Sequence, residues 1–240
     1  MNLFRACWDR VERAEVHRSQ LVEVWNDYLD REPFDCRLNH EGEGIHILEI
    51  WQSVPPPPEF SLRLGEWLYH LRACLDHIVW ATAAYVSGSL PPPDQGRLQY
   101  PIYESERAWK NNLSRLGSLK DHHREMLWRM QPFNSDPDAN YLGVINNLAR
   151  IDRHRRPNES TAYSAEFEPV VEVPKQTATT FQWGQRTLRD GVARAARLTV
   201  DPWDPGMSVT MNPRVGLDPE IGEWAKSPFW QRVRFGERCG

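Results

Sequence analysis

The feature that most restricts how this chain can fold is residues 59–87, EFSLRLGEWLYHLRACLDHIVWATAAYVS. Leu64, Leu68, Leu71, Leu75, Ile78, Thr82 and Tyr85 recur at alternating steps of four and three, which predicts a long helix with one buried seam. Beside that seam stand Glu66, His70, Arg72, Asp76 and His77, polar groups that are costly to bury alone. Proline runs at 55–58 and 91–93 flank the helix and read as stiff connectors.

Around this helix the chain reads as follows. Residues 3–31 form a first helix, with Phe4, Cys7 or Trp8, Val11, Arg18, Leu21 or Val22, Trp25 and Leu29 on one face. Alternation in 34–38 and 45–51, separated by HEGEG, predicts a β-hairpin over 34–51. Two helices follow at about 105–116 and 119–130, the second turning Met126, Leu127 and Met130 inward. Asp136 or Asp138 is placed to cap a further helix, which presents Tyr141, Ile145, Leu148 and Ile151 or Asp152 and stops at Pro157.

Beyond Pro157 the apolar residues alternate with polar ones through about residue 212, the pattern of antiparallel strands. A short last helix is expected near Pro219, carrying Ile221, Trp224, Phe229 and Trp230. The fold expected is therefore α+β: an N-terminal helical bundle, residues 1–157, with an inserted β-hairpin, followed by a smaller antiparallel β-rich region, residues 158–240. A chain of 240 residues suits one large domain or two small ones.

Net charge and cysteine usage narrow the function. A formal charge of −4 and a pI near 6.1 give no global attraction to nucleic acid, so contact with RNA needs a local basic patch. The longest apolar run, 78–86, is too short to cross a bilayer. The charged start MNLFRACWDR does not read as a secretory signal, and a cytoplasmic protein is expected. Cys7, Cys36, Cys74 and Cys239 fall at unpatterned spacings and read as ordinary reduced thiols. No GxxxxGK, GxGxxG or GxSxG motif occurs, so nucleotide-binding and serine-hydrolase readings lack support.

Two clusters carry chemistry. Arg72 and Asp76 lie four apart and face the same way, with His77 about 100° round from Asp76. Arg150, Asp152, Arg153, His154, Arg155 and Arg156 close the helix before Pro157. The arginines there complement the helix dipole, but Asp152 shares a stripe with Ile145 and Leu148. It should point inward and take Arg72 or His77 as partner. Glu66, His70 and His77 fall near one helical side, and with Asp152 or His154 they could form a nitrogen and oxygen ligand set. The adjoining His122 and His123 read as a solvated pair. Trp51, Trp183, Trp203, Trp224 and Trp230 could line a groove, though core packing is the ordinary use of tryptophan.

LGEWLYHLRACLDHIVW together with INNLARIDRHR resembles a widespread bacterial family of uncharacterised proteins whose helices read roughly HNLRSALDHL and IDKHR. That likeness extends over most of the chain and implies no activity. The segment from Arg72 to His77, arginine, four residues, histidine, also resembles the motif of HEPN-domain ribonucleases, helical proteins that cut RNA without metal. Those motifs often place a polar residue after the arginine and a tyrosine beyond the histidine, where this chain has Ala73, Val79 and Trp80.

This second resemblance implies a metal-independent RNA endonuclease of a bacterial toxin or defence system, with RNA as partner, a homodimer and no cofactor. Arg72 would stabilise charge on the scissile phosphate, His77 would transfer protons, and Asp76 and Asp152 would complete the catalytic set. Arg150, Arg153, His154, Arg155 and Arg156 would hold neighbouring phosphates. Two alternatives stand beside it: a non-catalytic interaction module whose Arg/Asp/His cluster is a structural tie, and a helical metal-binding protein.

Overall fold

The computed structural model describes residues 2–136, 140–154, 160–168, 171–173, 175, 177–211 and 214–221. The fold is α+β. The chain divides into two units, Met1–Glu23 with Glu59–Asn158, and Val24–Pro58 with Glu159–Gly240. The first helix passes through the division at Glu23.

The first unit is helical. It contains α1 (Arg5–Leu29) as far as Glu23, α2 (Pro58–Ser87), α3 (Glu106–Asn112), α4 (Asp121–Arg129) and α5 (Tyr141–His154). The long helix α2 thus runs within one residue of the expected 59–87. Proline opens it, where a missing N–H costs nothing. Gly88, at φ 65°, closes it by donating its N–H to the Ala84 carbonyl.

Burial along α1 and α2 differs from the seams expected. On α1 the buried residues are Cys7, Ala14, His17, Leu21, Trp25 and Tyr28, while Trp8 is 61% exposed and Val11 also faces solvent. Two helical stripes a single residue apart have the same period, and the small Cys7 and Ala14 fit the close approach that Trp8 cannot. On α2 the seam holds at Leu64 and Leu68. It then gives way to Cys74, Val79, Ala81, Ala83 and Ala84, with Tyr85 73% exposed. Alanines bring neighbours close on a broader face than large residues alone mark out.

The remaining helices have clear local causes. Ser105 caps α3 by accepting from Ala108 N–H, and Asn140 caps α5 by accepting from Gly143 N–H. Asn140 therefore takes the capping role expected of Asp136 or Asp138, the latter lying outside the described residues. The expected inward turn of Met126 and Met130 on α4 is not found, since both are more than half exposed and only Leu127 packs on the core. That core gathers Val79, Ala83, Leu98, Tyr100, Trp109, Leu116 and Leu119.

The second unit is built on a four-stranded antiparallel sheet in the order β1-β2-β6-β5, comprising β1 (Phe34–Gly42), β2 (Ile45–Gln52), β5 (Ala178–Trp183) and β6 (Val192–Asp201). The register sets Ile50 opposite Ala193, Leu48 opposite Ala196 and Leu198 opposite Phe181. Leu48, Ile50, Ala193, Ala196, Leu198 and Val200 are all buried.

The hairpin therefore belongs with the C-terminal strands, and the expected division into 1–157 and 158–240 is replaced by one in which 34–51 joins the second unit. A hairpin alone is marginal in water, and β2 gains stability by pairing with β6. At its turn Gly44 has φ 73°, and a Cβ there would fall 2.3 Å from the Val200 carbonyl.

Trp25 and Tyr28 of α1 are fastened within this unit, Trp25 Nε1 donating to Leu217 O at 3.0 Å and the Tyr28 hydroxyl to Val54 O at 2.6 Å. Two further pairs are β3 (Ser160–Glu168) with β8 (Arg214–Ile221), and β4 (Val171–Glu172) with β7 (Thr210–Met211). The helix expected near Pro219 is not formed there: Pro219, Glu220 and Ile221 are strand residues pairing with Ala162, Thr161 and Ser160. Trp224, Phe229 and Trp230 lie outside the described residues.

Candidate functional site

In the first unit a pocket of about 240 Å³ is lined by residues of three helices: Arg10 of α1; Gly65, Tyr69, Arg72, Ala73, Asp76 and His77 of α2; and Ala149 and Asp152 of α5. All four side chains expected to act together, Arg72, Asp76, His77 and Asp152, are on its wall. Helical spacing explains the α2 set, since Gly65, Tyr69, Arg72, Ala73, Asp76 and His77 follow steps of three and four along one face. The approach of α5 rests on the absence of a side chain at Gly65. A Cβ there would lie 2.7 and 2.8 Å from the Asp152 carboxylate oxygens.

Arg72 and Asp76 form an ion pair at 3.0 Å, the two side chains 12% and 33% exposed. They close on one residue of the segment that follows α2. Tyr100 N–H donates to Asp76 Oδ1 at 2.8 Å, and Arg72 Nη2 donates to Tyr100 O at 2.9 Å. Gln131, fully buried, continues the grip: it accepts from Tyr103 N–H at 2.9 Å and donates to Pro101 O and Leu127 O, each at 2.9 Å. The backbone groups of this non-helical segment would otherwise be desolvated without partners. Burial, eased by the nearby Arg72 charge, pushes the Tyr100 phenol up to about 12, and its hydroxyl contacts Met130 Sδ at 3.5 Å.

His77 contrasts with this tied pair. Its Nδ1 is buried and has no hydrogen-bond partner among the described residues, although the ring lines the pocket. An unsatisfied buried polar atom costs about 1–3 kcal/mol.

A second polar chain adjoins the pocket. Arg10 Nη1 lies 3.2 Å from His70 Nδ1, with its guanidinium carbon 5.5 Å from the Tyr69 ring centroid. His70 stacks on His17 at 5.3 Å, and His17 Nδ1 lies 3.1 Å from Glu66 Oε2. Burial pushes both imidazoles below their usual range; Arg10 reinforces this at His70, while Glu66 opposes it at both rings.

The expected ligand group Glu66, His70 and His77 is not assembled as a set. Glu66 and His70 meet His17, while His77 lines the pocket, and among the described residues no three His, Cys, Asp or Glu side chains form a group able to hold a metal ion.

The expected phosphate-binding arginines are only partly placed. Arg150 is exposed and donates to Asn147 Oδ1 at 2.9 Å. Arg153 and His154 lie on α5, described by backbone alone, and Arg155 and Arg156 fall outside the described residues. The His122 and His123 rings meet at a tilt, their centroids 3.9 Å apart, and burial pushes the His123 imidazole down, so His123 is not simply solvated.

Cys7, Cys36 and Cys74 are free thiols, and Cys239 lies outside the described residues. Of the tryptophans expected to share a groove, Trp51 lies under Arg37, Trp183 beside Phe181 and Trp203 against His40 and His46.

Arg10, Tyr69, Gly65 and Gln131 are site and scaffold residues that sequence reasoning did not single out. Arg10 lies on the first helix, sixty residues from His70, and nothing in its own neighbourhood marks it. Among the described residues no helix is long and apolar enough to cross a membrane. The chain matches no protein-family model, no curated protein and no solved structure.

Proposed function

We propose that the pocket among α1, α2 and α5 cleaves RNA without metal, in the manner of HEPN ribonucleases, with His77 as the proton-transfer group. The observation that carries this reading is the buried, unpartnered Nδ1 of His77 in a wall that also holds Arg10, Arg72, Asp76 and Asp152. An imidazole offers one donor and one acceptor nitrogen and suits proton transfer. In the reaction the 2′ oxygen of a ribose attacks the adjoining phosphorus while His77 takes the hydroxyl proton. The bond from phosphorus to the 5′ oxygen breaks, leaving a 2′,3′-cyclic phosphate and, after protonation from solvent, a 5′-hydroxyl.

The guanidiniums of the wall lower the energy of the charge that builds on the phosphoryl oxygens, and Asp152 orients the imidazole or the guanidinium beside it. Toxin or phage-defence action in a bacterial cytoplasm, with two copies of the chain pairing their motifs, is the setting that the HEPN resemblance implies.

A second reading is favoured by the Arg72–Asp76 grip on Tyr100. Here the cluster is architecture, and the protein is a non-catalytic interaction module.

Cleavage of mixed single-stranded RNA in EDTA separates the two. The ribonuclease reading expects cleavage by wild type, with cyclic phosphate ends, and its loss in His77→Ala at an unchanged melting temperature. Full activity in His77→Ala, or none in wild type, removes it.

A further inference from the structure

Building on the pocket assigned to RNA cleavage, we propose that Arg10 of α1, rather than the motif arginine Arg72, is the residue that grips the substrate phosphate. Arg72 works through the scaffold instead. The two guanidiniums share the wall but differ in what already surrounds them. Arg72 is 3.0 Å from Asp76, and its Nη2 is spent on the Tyr100 carbonyl. Its charge is balanced and its plane is fixed by a peptide that the fold must hold.

Arg10 forms no ion pair among the described residues. Its neighbours are neutral acceptors: His70 Nδ1 at 3.2 Å and the face of the Tyr69 ring. For Arg10 to donate to Nδ1, His70 must be neutral with its proton on Nε2, and the stack of His70 on His17 holds that ring in place.

A guanidinium gripped by neutral partners keeps its full charge while its orientation is set, which is the state that recognises a phosphate through paired N–H donors. Tyr69 and His70 therefore position Arg10, and the helix-one residue and the motif histidine face the same ligand from the pocket wall. Such an arrangement assigns the site to an anionic oxygen cluster of phosphate type, carried in the proposed reaction by a single-stranded RNA backbone.

Two probes test this with the full chain: inorganic phosphate, followed by calorimetry, and a single-stranded oligonucleotide with 2′-deoxy sugars, which cannot be cleaved, followed by anisotropy at several salt concentrations. Arg10→Gln keeps the length and loses the charge, and should weaken both probes by about tenfold to a hundredfold. It should also reduce the salt slope for the oligonucleotide by about 0.7, with little change in melting temperature. Arg10→Lys should recover part of the affinity, since charge returns without the paired donors.

Phosphate bound through Arg10 with no oligonucleotide binding sustains the anion site and removes the RNA reading. RNA cleaved and bound with full affinity by Arg10→Gln overturns the Arg10 assignment and leaves the ribonuclease standing. Wild type that binds neither probe overturns the assignment as well.

Discussion

The Asp152 carboxylate rests against the bare backbone of Gly65, with both oxygens and Cγ within 2.9 Å of where a Cβ would stand. This contact sets how close α5 comes to α2 beside the pocket. Gly65→Ala gains about 1 kcal/mol of helix propensity, but overpacking of this kind costs about 1–3 kcal/mol. The net expectation is a loss of stability, with Asp152 displaced from the wall. In an Asp152→Ala background the obstruction is gone, and Gly65→Ala should then stabilise by about 1 kcal/mol. Urea unfolding of the four proteins measures the coupling, and additive effects would show that the contact is not tight.

Around Tyr100 the prediction concerns fold rather than chemistry. Removing Arg72 leaves the Tyr100 carbonyl without its donor and Asp76 without its cationic partner, and a hydrogen bond to a charged group contributes about 1.5–3 kcal/mol. Asp76 is a third exposed, so the lower half of that range is expected for Arg72→Ala. Asp76→Asn keeps an oxygen for Tyr100 N–H and should cost less than Asp76→Ala. Gln131→Leu removes three hydrogen bonds from a fully buried position and should cost at least as much as Arg72→Ala. Melting curves for the set decide it: an Asp76→Asn protein as unstable as Asp76→Ala would mean that charge, not acceptor geometry, holds the segment.

A prediction about the second unit follows from its register. Ile50 is fully buried on β2, opposite Cys36 on one side and Ala193 on the other. Ile50→Ala should cost about 2–5 kcal/mol through lost burial and the cavity left behind. Asp35 of β1, its side chain 59% exposed and paired with the exposed Arg37, should tolerate alanine with a change under about 1 kcal/mol. Equal effects at the two positions would mean that the hairpin does not share the sheet core with β6.

The residues themselves show which parts of this structure the sequence made legible. The long α2 was readable because its apolar spacing persists over many turns, and the strands because alternation is local. Asp152 was readable as inward because it shares a stripe with Ile145 and Leu148, and it does reach the wall opposite Arg72 and His77. The allegiance of the hairpin was not readable, since pairing of Ile50 with Ala193 spans most of the chain and leaves no local trace. The face of α1 was readable in part: Cys7, Leu21 and Trp25 are buried as expected, while Val11 faces solvent and the small Ala14 takes a buried place that no hydrophobic scale marks. Arg10 and Gln131 stayed hidden for the same reason as the hairpin: their partners are distant in sequence.

The stacked His17 and His70 give stability a pH dependence of definite sign. Burial holds both imidazoles below the 6.5 of a free histidine, and Arg10 and Arg13 oppose protonation of His70 further, with Glu66 acting the other way. Below about pH 6.5 the unfolded chain therefore binds more protons than the folded one. The stabilisation is full above that value and is lost as pH falls through the lowered folded values. His46 of the second unit, buried beside the Gly44 carbonyl, shifts in the same direction. Urea unfolding between pH 7.5 and 5.5, above the range where most carboxylates titrate, should show wild type losing stability as the pH falls. In a His17→Asn, His70→Asn double variant the slope should shrink to what His46 and His123 supply. A wild-type stability that rises on acidification would mean that Glu66 outweighs burial and the stack carries a proton in the folded state.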